Sequence, residues 1–390
     1  MQPIRIDEKR ALAHLMDLLA IEGLSGSETK VAAAVKKKAR AAGARPGWIK
    51  FDDAAKRIGD GYQVGNLIVT LPGTIKAPRR LLMGHMDTVP LCRGAVPVRR
   101  GNRIVSQGNT GLGADNRTAV ACMVTVLENV LTRGLDHPPL TFCFTVGEEV
   151  GLRGALALRK KDLSNPKLGF NIDGGDPRDL WIGALGADRW EVDVRGVSAH
   201  AGVHPDHGVS AALIAARAIE DAAARGYFGK IRMKGKTGTA NVGVIRGGEA
   251  TNQVTDRVYV KGESRSHDVR FKARITDVWR AAFERQAKRV KNNKGVQGRA
   301  VFRSETDYDP FQIDRRAPVV LEAVAAAKQV GLKLRLRSAE GGLDANHVNA
   351  KGIPTVTMGA GQHGPHTVDE YVNVREYLDG CRLALRVATV

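Results

Sequence analysis

Little in this chain suggests a disulfide scaffold. Its 390 residues hold four cysteines, Cys92, Cys122, Cys143 and Cys381, and no two share a paired spacing. Cys122 and Cys143 lie in apolar runs, where a reduced thiol behaves as a small hydrophobe. No apolar run is long enough to span a bilayer. The first ten residues, Met1-Gln2-Pro3-Ile4-Arg5-Ile6-Asp7-Glu8-Lys9-Arg10, mix charges of both signs with no apolar core after them, so they do not read as a secretory signal. Cytoplasm is the expected compartment, and no membrane partner is expected. Aromatic residues make up only 5% of the chain, which leaves few stacking platforms for single-stranded nucleic acid.

Acidic residues are also in short supply. There are 41 of them against 60 Lys and Arg, a net charge of +19. From Gly186 to Arg303 the count is 23 basic to 12 acidic, so about +11 of the charge lies there. Such an excess suits anionic substrates or acidic partners. A basic nucleic-acid-binding protein is the alternative from another class, but no nucleic-acid motif supports it.

What is present is a soluble composition, 43% hydrophobic and 26% charged, on a chain too long for one core. Apolar runs at Leu67–Leu71, Leu81–Met83, Thr141–Val146, Leu168–Ile172 and Ile353–Met358 read as strands. Helical periodicity marks Ala11–Ile21, Thr118–Leu131, Ala317–Val330 and Val374–Ala388. Ser25-Gly26-Ser27-Glu28 reads as a capping box opening a helix through Ala41. Strands alternating with helices predict an open α/β sheet with its site along the strand C-termini. After Gly186 the pattern changes. Trp190–Val197 alternates as a half-exposed strand, and the order β-α-β-β-α-β through Gly298–Arg303 predicts a split-βαβ, ferredoxin-like unit. The expected division is residues 1–185 and 304–390 for one α/β domain, with 186–303 inserted into it.

The chemistry sits where the buried strands end. Gly84-His85-Met86-Asp87 closes one run, and extended residues two apart face the same way, which sets a carboxylate beside an imidazole. Asp115 precedes a helix in Gly113-Ala114-Asp115-Asn116. Glu148 and Glu149 follow a strand, Asp173 follows another in Asp173-Gly174-Gly175, and His366 follows the Ile353 strand. Asp, Glu and His without cysteine suit a hydrolytic dinuclear zinc site. Two ions a few ångströms apart need one ligand that touches both, which a carboxylate can be and an imidazole cannot.

These five motifs, with His366-Thr367-Val368-Asp369-Glu370 as the last, occur in the order seen in the dizinc exopeptidase family. That family includes peptidase T, the glutamate carboxypeptidases, aminoacylases and succinyl-diaminopimelate desuccinylase. Gly262-Glu263-Ser264-Arg265-Ser266-His267-Asp268 resembles the peptidase T-like branch in particular. The resemblance implies a mixed-sheet catalytic domain with an inserted lid and dimerisation domain. It implies two Zn2+, with Co2+ or Mn2+ able to replace one in vitro. His85 and Asp173 would bind one ion, Glu149 and His366 the other, and Asp115 would bridge them. Glu148 would be the general base, and Asp87 would hold the His85 ring. Asn116 departs from the second aspartate of many members and is not an expected ligand. In Gly196-Val197-Ser198-Ala199-His200-Ala201-Gly202, His200 would stabilise the oxyanion, from the same chain or from the partner in a homodimer. Asn252 and Arg265 would bind substrate. The implied activity is amide hydrolysis in small peptides, as in an aminotripeptidase. Carboxypeptidase action or deacylation of N-acyl amino acids is the alternative within the family.

Some assignments have rivals. His363 competes with His366, and only the H-x-x-x-E pattern selects the latter. Glu148 and Glu149 could exchange roles. His200, His204 and His207 mimic a metal site of their own, against which Pro205 argues as a helix breaker. Gly341-Gly342-Leu343-Asp344 resembles a family loop near the substrate pocket, and also reads as a plain turn.

Overall fold

The computed structural model describes residues 5–59 and 61–389. The chain forms two compact units, one of Met1–Gly183, Gln312–Ala339 and Leu343–Val390, the other of Ala184–Phe311 with Glu340–Gly342. No described helix is long and apolar enough to cross a membrane.

The first unit is built on a nine-stranded sheet. Four neighbouring strands at its centre run parallel, in the order Leu140–Thr145, Arg80–His85, Leu168–Ile172, Thr355–Met358. Leu67–Leu71 and Asp179–Ala184 flank them antiparallel. All four central strands are buried along their whole length. That is why they read as unbroken apolar runs, since strands covered on both faces need no polar alternation. On one face Leu81 and Met83 pack with Ile68, Cys143, Leu158, Leu163, Val348 and Ile353. On the other the Ala114–Arg133 helix packs against the Arg80–His85 strand and the Glu8–Leu19 and Val374–Thr389 helices. Gly84 allows that approach, because a Cβ there would lie 2.6 Å from the Ala119 Cβ. The parallel strands all end at one edge, with His85 opposite Thr145 and Ile172 opposite Met358. A small four-stranded sheet pairs Gln362–His363 with Tyr371–Asn373, and Tyr371–Asn373 with Arg103–Ser106. The loop bearing His366 is the connection inside that pairing.

The second unit is a five-stranded antiparallel sheet, ordered Gly229–Met233, Lys236–Gly247, Arg257–Ser266, Gly186–Arg195, Arg299–Tyr308. The Ala211–Ala224 and Val269–Arg289 helices pack with it. Trp190 stacks on Trp279 at 5.0 Å between ring centroids, within a core that includes Val192, Val194, Val260 and Phe283. Residues alternating with these on the same strands carry ion pairs instead, such as Asp193 with Arg195 and Arg257. The split-βαβ order is present, with one strand more than the sequence pattern predicts. Gly229–Met233 was missed because only one of its five residues, Ile231, is buried, so it lacks apolar alternation.

Two local expectations need correction. The last strand of this unit continues to Tyr308 rather than ending at Arg303. Thr306 donates to Asp188 on the adjacent strand at 2.8 Å, beside the Asp188–Lys272 ion pair, and holds it there. The Ser25–Glu28 segment is not a capping box. The helix Thr29–Ala41 has Glu28 itself at its N-cap position with no side-chain cap. The Glu28 carboxylate instead accepts from Gly26 N and Gly147 N, and Ser25 donates to Asp87.

Candidate metal centre

His85 is the last residue of its strand and is buried. Its Nδ1 lies 3.1 Å from the Asp87 carbonyl oxygen and 3.4 Å from Asp87 Oδ1. This directs Nε2 outward, to 3.2 Å from Asp115 Oδ1 and 3.8 Å from Asp173 Oδ1. Fixing one ring nitrogen by an oxygen acceptor sets the tautomer and aim of the other.

Asp115 comes from the irregular first turn of the Ala114–Arg133 helix, where it and Asn116 leave helical geometry and the peptide between them is cis. Its two oxygens face different imidazoles. Oδ1 faces His85, and Oδ2 lies 3.6 Å from His366 Nε2. The loop is held by Glu370, which accepts from Leu112 N and Gly113 N at 2.7 Å and from Asp115 N at 2.9 Å. Asn116 is buried and donates from Nδ2 to the Ile172 carbonyl at 2.8 Å, next to Asp173. An aspartate could not donate that bond.

Glu148 and Glu149 leave the Leu140–Thr145 strand through Gly147, at φ 60. A Cβ at Gly147 would collide with the Tyr62 ring, at 2.2 Å from its hydroxyl oxygen. Three successive N–H groups of this segment are taken by carboxylates. Gly147 donates to Glu28 at 2.9 Å, Glu148 to Asp87 Oδ1 at 3.0 Å and Glu149 to Asp87 Oδ2 at 3.2 Å. The Glu149 oxygens lie 3.0 and 2.9 Å from His366 Nε2. His363 pairs with Glu376 instead.

Three sets of donors converge within 4.8 Å: His85, Asp115 and Asp173; Asp115, Glu149 and His366; His85, Glu148 and Glu149. The first two share Asp115. Their electrostatics call for a cation. Burial, with the charges of Asp173, Asp344 and Glu149, holds the Glu148 carboxyl well above the usual range, against the pull of His85. Burial and Asp115 do the same to Asp173. Burial also raises Glu149, against its bond to His366. Burial alone would lower the pKa of His85, but Glu148, Asp115, Asp87 and Asp173 outweigh it and hold the ring well above its ordinary value. His366 is raised to about 9, chiefly by Glu149. Without metal, protons must fill this cluster. Divalent ions would neutralise it, and the N and O donors fit borderline ions such as zinc.

The sequence reading missed the residues that brace this centre. Besides Glu28 and Glu370, Arg117 is buried and donates to the Met86 carbonyl at 2.6 Å. Asp344, buried at the start of the Asp344–Ala350 helix, accepts from Thr145 Oγ1. Burial raises it to about 6. Glu28, Glu370 and Asp344 all stand in segments the sequence singles out for other reasons, and nothing local in the sequence shows what they brace.

Within the second unit, His200 is exposed, and its Nδ1 accepts from Gly202 N and Val203 N, each at 3.2 Å. A neutral ring so held carries its proton on Nε2. Asn252 is exposed, and its carbonyl accepts from Ala201 N at 2.8 Å. Arg265 is half-buried, with its guanidinium engaged by both oxygens of Glu263 at 2.8 and 3.0 Å. Glu263 also pairs with Arg189.

A mixed sheet whose central parallel strands end at two donor triples on a shared carboxylate fits a class, the metal-dependent hydrolases with a dinuclear centre. The profile of peptidase family M20/M25/M40 matches residues 81–389, and the chain belongs to that family. It is 31% identical to the Bacillus subtilis (strain 168) protein YqjE over 384 residues, 98% of each chain. Two solved structures are similar over 98% of both chains, each at 32% identity. They are the aminopeptidase PepT of Bacillus cereus ATCC 10987, at a TM-score of 0.87, and a tripeptidase of Staphylococcus aureus subsp. aureus Mu50, at 0.89. The chain is a hydrolase of the peptidase T-like kind, with the mixed α/β fold and inserted domain that its motifs imply.

Proposed function

We propose that this chain is a zinc-dependent aminopeptidase that releases an N-terminal residue from short peptides. The observation that carries this reading is the sharing of Asp115 between the His85–Asp173 pair and the Glu149–His366 pair. In this reading His85 and Asp173 would hold one ion, Glu149 and His366 the other, and Asp115 would serve both. Bound ions would supply positive charge to polarise the peptide carbonyl and acidify water.

The chain's own groups do the rest. Glu148 takes a proton from the attacking water and passes it to the leaving amine, as a positioned carboxylate can. Asp87 aims His85 and fixes the Glu148 backbone. His200 offers Nε2–H to the carbonyl oxygen as charge develops there. Asn252 binds the substrate backbone. Arg265 exchanges Glu263 for the substrate carboxylate, a replacement of one two-pronged pair by another. The enzyme works in the cytoplasm as a homodimer through the Ala184–Phe311 unit, whose His200 serves its own or the partner's centre. The likeness to an aminopeptidase and a tripeptidase supports the peptide class.

The test is a substrate panel. Tripeptides with a free amino terminus are turned over, N-acylated dipeptides and N-acyl amino acids are not, chelation abolishes turnover and zinc restores it. Preference for the N-acylated compounds overturns the reading in favour of a deacylase or carboxypeptidase.

A further inference from the structure

Outside the centre described above, one more set of metal-type donors converges among the described residues. His204, Asp206 and His207 each bring a donor atom within 4.8 Å of the other two, and all three are exposed. The local backbone explains this. Pro205–His207 is a single 3-10 turn, not an α-helix. His204 stands at the N-cap of this turn and His207 at its end, and their rings lie face to face at 4.6 Å with planes 9° apart. Pro205, which argues against an α-helical site, is what starts the turn that aligns the rings.

We propose that His204, Asp206 and His207 form a separate surface site for a divalent transition-metal ion. Two imidazoles and one carboxylate suit zinc, nickel or copper, and not the hard cations that demand oxygen alone. The turn is braced before any ion arrives. Asn293 N donates to the Asp206 carbonyl at 2.9 Å, and its Nδ2 to Asp206 Oδ2 at 2.5 Å. Asn292 Nδ2 donates to the His207 carbonyl at 3.0 Å. Such bracing reduces what ordering the ligands costs on binding. Three protein donors on an open surface leave the remaining positions to water. The site also bears on His200. His204 N donates to the His200 carbonyl at 3.0 Å, and Gly202 N and Val203 N hold the His200 ring. An ion on the turn therefore fixes the loop that orients His200.

The experiment compares zinc binding to the purified full chain and to a His204→Asn/His207→Asn double variant, by equilibrium dialysis with elemental analysis. The wild-type chain should hold one more zinc than the variant, whatever number the buried centre holds. That binding phase should weaken by at least about 100-fold in the variant, more than the loss of an outer support costs. Added zinc should slow amide hydrogen exchange in residues 201–208 of the wild type only. An Asp206→Asn variant keeps both imidazoles and should weaken the phase by roughly tenfold, which covers the case of a misfolded double variant. Equal zinc in the wild type and every folded variant overturns the proposal.

Discussion

Asp87 accepts the backbone N–H of Glu148 at 3.0 Å, so the side chain that follows His85 also fixes the segment that follows the neighbouring strand. With Ser25 at 2.7 Å, Glu149 N at 3.2 Å and the His85 ring nearby, a fully buried carboxylate serves four groups. Those bonds and His85 keep its pKa low although burial opposes it. Asp87→Asn puts an NH2 against donors that need an acceptor, and a buried unmet donor costs about 1–3 kcal/mol. The variant should lose roughly 10–100-fold in metal affinity, as loss of an outer partner does, and unfold at lower urea. Metal titration and a urea midpoint check both. Unchanged values would show that the two N–H bonds and the Ser25 O–H bond to Asp87 are incidental.

Glu370 should behave in a related way on the opposite side of the centre. Its carboxylate accepts three N–H groups of the 112–115 loop, and Asp115 is the donor common to both triples. Glu370→Gln turns one acceptor into a donor facing those amides. Both metal equivalents should then weaken together, where an Asp173→Asn change should weaken one more than the other. Stepwise metal content at limiting zinc separates the cases, and selective loss of one ion in the Glu370 variant would contradict this account.

The centre was legible because its donors sit at strand ends. Strands buried on both faces appear as bare apolar runs, so His85, Glu148, Glu149 and Asp173 stand out as the first polar residues after them. The supports were not legible in the same way. Glu28 fits a local capping pattern, but its bond to Gly147 depends on tertiary packing. Glu370 belongs to a recognisable motif, yet nothing near it in sequence reveals that its partners are the amides of the 112–115 loop. Asp344 sits in what reads as a turn. In the second unit the alternation of Trp190, Val192 and Val194 marked a core strand, while Gly229–Met233, an edge strand with little to bury, gave no period at all.

Glu148→Gln separates binding from turnover. It keeps the shape of the side chain and removes its capacity to accept a proton. Zinc content should stay near that of the wild type. Turnover should fall by about 10²–10⁴-fold, the usual worth of a positioned acid–base group. Elemental analysis and a tripeptide assay on the same preparation decide it. Near-normal turnover in a zinc-loaded variant would move the base elsewhere.

Metal removal should make stability fall as pH rises, the reverse of the usual acid behaviour. Burial lifts Glu28 to about 7 from 4.5, with Asp87 adding to it, and lifts Asp344 to about 6 from 3.8. A carboxyl whose folded pKa is raised gives stability that is whole below its unfolded value and is lost as pH climbs through the folded one. For these two the windows are 3.8–6 and 4.5–7, and each carries on the order of 3 kcal/mol at most. His85 and His366, also raised, act in the same direction above the ordinary imidazole value. His14, lowered by burial, opposes them, because its stabilisation is present above that value and lost below it. It is one group against the raised carboxyls Glu28, Asp344, Glu148, Glu149 and Asp173 and the two raised imidazoles. Lowered carboxylates such as Asp176, at about 2, act only below this range. The urea midpoint of the chelated protein should therefore drop between pH 5 and 7, with the zinc-loaded protein dropping less because bound cations offset the same charges. A midpoint that is flat or rises over that interval in the chelated protein would mean that the buried carboxylates are ionised without cost, and the electrostatic case for a dinuclear centre would lose its footing.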